Sequence, residues 1–278
     1  MRRKHIFWIL TVCIFVAAVA WILWGNTALE VNTYTIQSQR VPSAFDGFRI
    51  AQISDLHNTE MGKNNKKLLD MLQAAEPDVI AITGDMIDSR NTNVAVALDF
   101  AKAAMEIAPC YFVTGNHEAR VPEYEDLKSG LEALGVVVLS DAAVMLEKDN
   151  QAIMLLGVDD PQFHSEGKSP AMDANLQKLL NGTSHYTVLL SHRPELFAIY
   201  AKHKVDVVLT GHAHGGQFRL PFVGGVIAPG QGFFPEYDTG LYTKDHTNML
   251  VSRGIGNSII PVRFNNPPEI LVVELKTK

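Results

Sequence analysis

The sequence predicts an α/β protein in which a mixed pair of sheets is sandwiched between helices, preceded by one membrane-length helix. Three observations carry this. From Phe48 to Leu134, short apolar runs alternate with helical stretches, the pattern of βαβ units. From Val136 onward strands predominate, and Ile6–Trp24 contains no charged residue.

That amino-terminal segment has 19 residues. At ~1.5 Å each they span roughly 28 Å, about the hydrocarbon thickness of a bilayer. Trp8, Trp21 and Trp24 lie near its ends, where interfacial aromatics are favoured. Arg2, Arg3 and Lys4 flank one side only, so the positive-inside rule places the amino terminus in the cytoplasm and the rest of the chain outside. A cleaved secretory signal is the first alternative, but its apolar region is usually shorter, and Asn26-Thr27-Ala28 is a poor small-x-small site. A twin-arginine export signal is the second, but Lys4 and His5 do not extend that pattern. The expected organisation is an uncleaved anchor over residues 1–25, a connector and edge strand over 26–47, and one domain over 48–278. The anchor makes the protein a single-pass membrane protein, held by residues 6–24 with its domain outside the cytoplasm.

The elements follow in order. Leu29–Ile36 reads as the edge strand. Phe48–Ile53 is a strand, Asn64–Ala75 a helix closed by Glu76-Pro77, and Asp78–Thr83 a buried strand. Thr92–Ala108 is an Ala-rich helix stopped at Pro109; Cys110–Thr114 is a strand; Pro122–Leu134 is a helix with Gly135 beyond its end. Val136–Leu139, Val144–Glu147 and Ala152–Val158 are short strands, and Pro170–Leu180 is a helix. Thr187–Leu190 is a strand, and a helix starts at Pro194 and runs to Lys202. Val205–Leu209 is a buried strand. Phe218–Ile227, Leu241–Tyr242, Met249–Val251 and Ile270–Leu275 read as strands or hairpins.

Composition excludes some partners. Of 24 basic residues three precede the apolar segment, which leaves 21 against 30 acidic ones in the remainder. An acidic body of this kind argues against a nucleic acid as partner. The two cysteines, Cys13 and Cys110, form no disulfide framework and no zinc ribbon.

Five predicted strands end in the same chemistry. Asp55-x-His57 follows the first, Asp85 the second, Asn116-His117 the third, His192 the fourth and His212-x-His214 the fifth. The densest stretch is Val205–Gly216, where a β-branched run gives way to G-H-A-H-G-G. Parallel strands bring such ends to one sheet edge, where ligands collect in open α/β sheets. Asp55, His57, Asp85, Asn116, His192, His212 and His214 exceed one tetrahedral site and suit two divalent ions about 3.5–4 Å apart with a bridging carboxylate. Imidazole and oxygen ligands without thiolate suit Mn, Fe or Zn.

With these motifs in their order, D-x-H (Asp55, His57), G-D-x-x-D (Asp85, Asp88), G-N-H-E (Gly115–Glu118), a lone His192 and G-H-x-H (His212, His214), the chain resembles the calcineurin-like metallophosphoesterases. Pro261–Ile270, Arg253–Gly256 and G-H-A-H-G-G-Q look like a bacterial branch of membrane-associated phosphodiesterases related to UDP-2,3-diacylglucosamine hydrolases. The resemblance implies a four-layer α/β/β/α sandwich. It implies one metal held by Asp55, His57, Asp85 and His214, and another by the bridging Asp85 with Asn116, His192 and His212. His117 then protonates the leaving oxygen, and Asp88 orients its imidazole. The implied reaction is hydrolysis of a phosphodiester or pyrophosphate, lipid- or envelope-linked, by a metal-bridging hydroxide.

A cytoplasmic nucleotide sugar as substrate conflicts with a domain outside the cytoplasm. One departure bears on the alternatives. Protein phosphatases of the superfamily carry Arg directly after the second Asp of G-D-x-x-D, whereas Ser89 stands here and Arg90 comes one later. A phosphomonoesterase or protein phosphatase is the competing enzyme reading, and a non-catalytic metal-binding membrane protein the competing non-enzyme one. Arg193 and Arg253 are candidates to meet substrate phosphate or to form ordinary salt bridges. The apolar Phe218–Val223 stretch is expected as hairpin core, with a lipid-lining cleft as its alternative.

Overall fold

Two six-stranded mixed sheets organise the chain in the computed structural model, which describes residues 2–164, 168–257 and 261–278. The strands are β1 (Glu30–Ser38), β2 (Arg49–Ile53), β3 (Val79–Thr83), β4 (Cys110–Val113), β5 (Val137–Val138), β6 (Ala142–Lys148), β7 (Gln151–Gly157), β8 (Tyr186–Leu190), β9 (Val207–Thr210), β10 (Arg219–Leu220), β11 (Gly224–Gly225), β12 (Ile227–Ala228), β13 (Gly232–Phe233), β14 (Gly240–Lys244), β15 (Thr247–Val251) and β16 (Glu269–Thr277). The helices are α1 (Arg2–Thr27), α2 (Lys66–Ala74), α3 (Val94–Met105), α4 (Tyr124–Ala133), α5 (Lys168–Leu179) and α6 (Phe197–Lys202).

The first sheet runs β1-β16-β2-β3-β4-β5, with β2 through β5 parallel and β16 antiparallel to β2. The second runs β14-β15-β9-β8-β7-β6, with β15, β9, β8 and β7 parallel and an antiparallel strand at each edge. β1 pairs with β16 along its whole length, Glu30 opposite Glu269 through Ser38 opposite Thr277, so this early strand is part of the first sheet's edge.

Three apolar clusters fill the space between elements. One joins Ile50, Ala81, Val113 and Val273 of the first sheet to Ile153, Val188, Leu190, Val207 and Leu209 of the second, so the sheets meet face to face. Another seats α2, α3 and α4 on the opposite face of the first sheet through Leu68, Leu72, Phe100, Leu127 and Leu131. The third seats α5 and α6 on the second through Met172, Leu176, Phe197 and Tyr200. The parallel inner strands are buried on both faces, which is why they read as continuous apolar runs with no alternation.

Three expectations need adjusting. The helix from Pro194 starts as a 3₁₀ turn, Pro194–Leu196, before α6, and α3 stops three residues short of Ala108. The ladder expected over Phe218–Ile227 breaks into two-residue pairs, β10 with β11 and β12 with β13, because Pro221 and a left-handed Phe222 and Gly224 interrupt it. Finally, the five ligand-bearing strand ends lie on the edges of two sheets, three on the first and two on the second, rather than on one.

α1 is long and apolar enough to cross a bilayer. Its side chains are exposed along most of its length, and it meets the body only at its end. There Asn257 Nδ2 donates to Asn26 Oδ1 at 2.8 Å, and Lys67 Nζ to Thr27 O at 2.5 Å.

Candidate metal centre

Each ligand candidate stands directly after a buried strand. Ser54–His57 follows β2, Gly84-Asp85 follows β3, Asn116-His117 follows β4, His192 follows β8 and His212–His214 follows β9. All seven predicted ligands are buried, as are His117 and Asp88. The backbone is bent hard to aim them. Asp55, His57, Asp85, His212 and His214, five of the seven, have φ between 46° and 65°, a region non-glycine residues seldom adopt. Such strain persists only where surrounding structure over-determines it, and it gathers at functional sites.

The turns also need glycine. A Cβ on Gly115 would overlap Asp85 Oδ1, and one on Gly211 would overlap Ser54 Oγ and Asp55 Oδ2. These glycines let the strand ends of the two sheets close onto the carboxylates.

The ligand candidates fall into two groups of convergent atoms, and His57 also converges with Asp88 and His117. In Asp55, His57 and His214 the offered atoms all lie within 4.8 Å of one another; Asp85, His192 and His212 do the same. His57 Nε2 lies 3.3 Å from His214 Nε2 and 3.8 Å from Asp55 Oδ1, and His214 Nε2 is 3.4 Å from the same oxygen. Asp85 Oδ2 stands between the groups, 3.6 Å from His57 Nε2 and 3.2 Å from His192 Nε2. Asn116 sits beside them in the pocket wall, its Oδ1 buried with no hydrogen-bond partner.

The donor set suits divalent cations. His192 Nδ1 lies 2.8 Å from Thr83 O, which fixes a proton there and turns Nε2, the atom that would meet a cation, toward Asp85 Oδ2. Asp55 and Asp85 are dehydrated, and no Lys or Arg salt bridge reaches either among the described residues. Buried carboxylates faced by imidazoles alone are costly, and a bound cation removes that cost. Burial pushes His57 down to about 3 and lowers His214 and His212, so these imidazoles are neutral and ligand-competent at pH 7.

A second tier of residues holds the donors. Asp55 accepts Ser54 Oγ at 2.6 Å and the His212 amide at 3.1 Å. Asp85 Oδ1 accepts the His117 amide at 2.8 Å, leaving Oδ2 for the centre. Glu118, itself buried, accepts the amides of Asp85 at 2.8 Å, Gly115 at 2.7 Å and Ile87 at 3.3 Å, and so ties the β3 turn to the β4 turn. In the second sheet Arg193 donates to His212 Nε2 at 2.7 Å and is forked by Asp160. Asn266 donates to His214 O at 2.7 Å.

His117 points into the same space, its Nε2 4.0 Å from Asp85 Oδ2. Burial lowers its pKa more than the nearby Asp85 and Asp88 raise it. Asp88 lies 3.7 Å from His117 Nδ1, beyond hydrogen-bond range, and its carboxylate is committed to Arg90. The group on Nδ1 is the Ser89 amide, donating at 2.9 Å. The orientation expected from Asp88 therefore comes in this structure from the residue after it.

A pocket of about 180 Å³ opens on the centre, lined by Asp85, Ser89, Arg90, Asn116, His117, Arg120, His212, His214 and Pro229. Of the arginines flagged from sequence, Arg193 is sequestered behind His212, and Arg253 pairs with Glu30 at 2.8 Å and Glu269 at 3.1 Å. Those at the pocket are Arg90, noted only as one place beyond the protein-phosphatase position, and Arg120, which no motif singled out. His164 and His203, outside the motifs, pair locally with Asp141 and Asp173.

Comparison with known proteins agrees with this geometry. Residues 48–216 match the family model described as calcineurin-like phosphoesterase. The chain is 31% identical over 256 residues to the uncharacterized metallophosphoesterase YkuE of Bacillus subtilis, covering 90% of this chain and 86% of that one. It is 30% identical over 203 residues to the phosphodiesterase YaeI of Escherichia coli, covering 72% and 71%. A transmembrane protein with metallophosphoesterase domain from Danio rerio is 29% identical over 89% of this chain, which spans 57% of that protein's length. Among solved structures, the sulfate thiohydrolase SoxB of Thermus thermophilus shares the fold at a TM-score of 0.52 and 12% identity, over 85% of this chain and 57% of that one. The chain belongs to the calcineurin-like metallophosphoesterase family, whose members use divalent metal ions.

Proposed function

We propose that the protein is a membrane-anchored, dinuclear metal-dependent phosphodiesterase. The observation that supports this best is the placement of Asp85 Oδ2 between two groups of donors, with His117 on the pocket side. One ion would be held by Asp55, His57, Asp85 and His214, the other by Asp85, Asn116, His192 and His212, on a four-layer α/β/β/α frame. When bound, the ions neutralise charge building on a phosphoryl group and acidify water.

The chain's own residues do the rest. The Ser89 amide donates to His117 Nδ1, so the imidazole's transferable proton sits on Nε2, facing the pocket. From there it can pass to a departing alkoxide. Arg90 and Arg120 line the mouth and set positive charge where a diester's second ester group extends. The substrate we propose is a diester or pyrophosphate linked to a lipid or envelope component, with residues 1–25 as anchor, 26–47 as connector and edge strand, and 48–278 as the catalytic domain outside the cytoplasm.

The test is turnover of bis-p-nitrophenyl phosphate against p-nitrophenyl phosphate by protein loaded with Mn, Fe or Zn. Diester turnover that disappears on chelation and returns with metal is expected. A strong monoester preference makes the protein a phosphomonoesterase instead.

A further inference from the structure

Outside α1, every large apolar side chain more than half exposed among the described residues lies in one loop, between β10 and the start of β14. Phe222 is 108% exposed, Phe233 73%, Phe234 64% and Val223 57%. Monomers seldom leave such a patch bare without a use for it. The hairpin core expected of this stretch from sequence is therefore not what it forms. Phe222 and Phe234 have φ of 66° and 54°, conformations a bulky residue adopts only when held there. The loop is built to present its aromatics outward.

Its place in the fold says what lies over it. Gln217 Nε2 donates to Val262 O at 2.7 Å, the Arg219 amide donates to Phe264 O at 2.9 Å, and Phe218 bridges Phe264. The neighbouring Arg263 packs its carbonyl on Gly25, 3.0 Å from where a Cβ would stand. Gly25 follows Trp24, the aromatic near the carboxyl end of the apolar helix. The surface of any bilayer that receives α1 thus passes beside residues 261–264, and the loop grows from that point. Phe222 is four residues beyond Phe218, within roughly 13 Å at ~3.3 Å per residue. Lys67, bonded to Thr27 O at the helix end, and exposed Lys63 add positive charge on that side, suited to anionic headgroups.

The loop also reaches the metal centre. It leaves from His214-Gly215-Gly216, and its middle returns as Pro229 in the pocket wall, with Gly230 against His212 Nε2.

We infer that residues 218–234 form a membrane-docking loop whose phenylalanines enter the same bilayer leaflet that receives the end of α1, holding the metal pocket at the headgroup layer. Resting on the phosphodiesterase reading, the substrate class is then the phosphodiester of a lipid headgroup in that leaflet, taken without leaving the membrane.

Two measurements on the full chain, reconstituted in vesicles of mixed phosphatidylcholine and phosphatidylglycerol, test this. The first attaches a nitroxide to Phe222→Cys or Phe234→Cys in a Cys13→Ala background, Cys110 being buried. The reference is Asp149→Cys, in the β6–β7 turn at the opposite end of the strands from His192. The loop labels should collide severalfold less with an aqueous nickel chelate than the reference, and more with oxygen. Labels as accessible to nickel as the reference overturn the docking, whatever the activity does. The second compares turnover of a vesicle-embedded lipid phosphodiester with that of soluble bis-p-nitrophenyl phosphate in Phe222→Ser/Phe234→Ser. Loss of about tenfold on the lipid alone is expected, since interfacial binding scales with buried apolar area. An unchanged ratio with shielded labels overturns the lipid-substrate part. A wild-type chain that cleaves neither the lipid nor the soluble diester overturns the hydrolase reading, while the labels still decide the docking.

Discussion

The two sheets bring opposite chemistry to the centre. The first supplies Asp55, Asp85 and Asn116 with His57 and His117, and it buries Glu118 beneath them. The second supplies only imidazoles, His192, His212 and His214, with the Arg193 guanidinium behind. On the proposed assignment neither sheet holds a full donor set. Asp55 and His57 need His214 from across the interface, and Asp85 needs His192 and His212. The contacts at that end run between sheets as well: the His212 amide to Asp55, His192 Nδ1 to Thr83 O, and Gln52 Nε2 to Thr210 O at 2.9 Å. A cation in either group would therefore bind the sheets together while preparing the chemistry. Without an ion, the anionic side has only the His192 charge from the imidazole side to balance it.

The most severe way to break this arrangement is to remove the shared carboxylate. Asp85→Ala takes a donor from both groups. Turnover should fall on the order of 10⁴-fold, since both charge neutralisation and water activation fail. Metal analysis should show both ions lost, not one. If one full equivalent remains, Asp85 is not shared and the two groups are independent. His117→Ala tests the other part of the first sheet's contribution. Metal content should hold, while turnover of an alkyl diester drops about 10²–10³-fold, as for loss of a general acid. A diester with an acidic phenol as leaving group should be much less affected. Equal losses on both would give His117 a structural role.

Glu118 tests what holds the first sheet's turns rather than what they hold. Glu118→Ala strands the amides of Asp85, Gly115 and Ile87 in a buried site. At ~1 kcal/mol or more for each of the three unsatisfied groups the domain should lose at least about 3 kcal/mol, read as a lower denaturation midpoint without metal. Glu118→Gln keeps one carbonyl acceptor for the two short bonds and should lose less. A midpoint unchanged in the Ala variant would mean water replaces the carboxylate.

How far sequence could see into this centre depends on what each residue does. Strand ends and donor types were legible because Asp, Asn and His at the close of an apolar run have few other reasons to sit there. Residues that act on the backbone left weaker marks. Glu118 completes a motif, but nothing in the string shows that it accepts amides from two turns. Asp160, 33 residues from Arg193, and Asn266, 52 from His214, are joined to them only by folding. The division of the strand ends between two sheets was hidden too, since β2–β5 and β7–β9 have the same apolar pattern and only pairing separates them. The Phe218–Val223 stretch misled because hydrophobicity alone does not tell core from membrane-facing surface. The exposure of Phe222 rules out the core, and it follows only from how the chain folds.

The smallest effect is also the one that best separates the sheets. In the metal-free protein His192 is pushed up to about 10: burial alone would lower it, but the carboxylates of Asp85 and Asp55 prevail. A histidine raised in the folded state contributes stability that is complete below its unfolded value, near 6.5, and is lost as pH climbs toward 10. His57, driven down to about 3, acts oppositely; its contribution is complete above 6.5 and is lost as pH falls below that. The metal-free domain should accordingly be most stable near neutrality. Loading then differs between groups. Asp55, His57 and His214 take an ion with imidazoles already neutral, so no proton leaves. Asp85, His192 and His212 must first surrender the proton on His192, whose charge stands in for the cation. Affinity at that group should rise up to about tenfold per pH unit between 6.5 and 8.5, at ~1.4 kcal/mol per unit. Calorimetric titration in buffers of different ionisation heat should find about two protons released for two ions bound, one from His192 and one from the water the ions acidify, and at most one in His192→Ala, which should bind one ion. If the native chain releases no more than one proton, His192 carries no charge before loading, and the sheets do not differ in the way their side chains indicate.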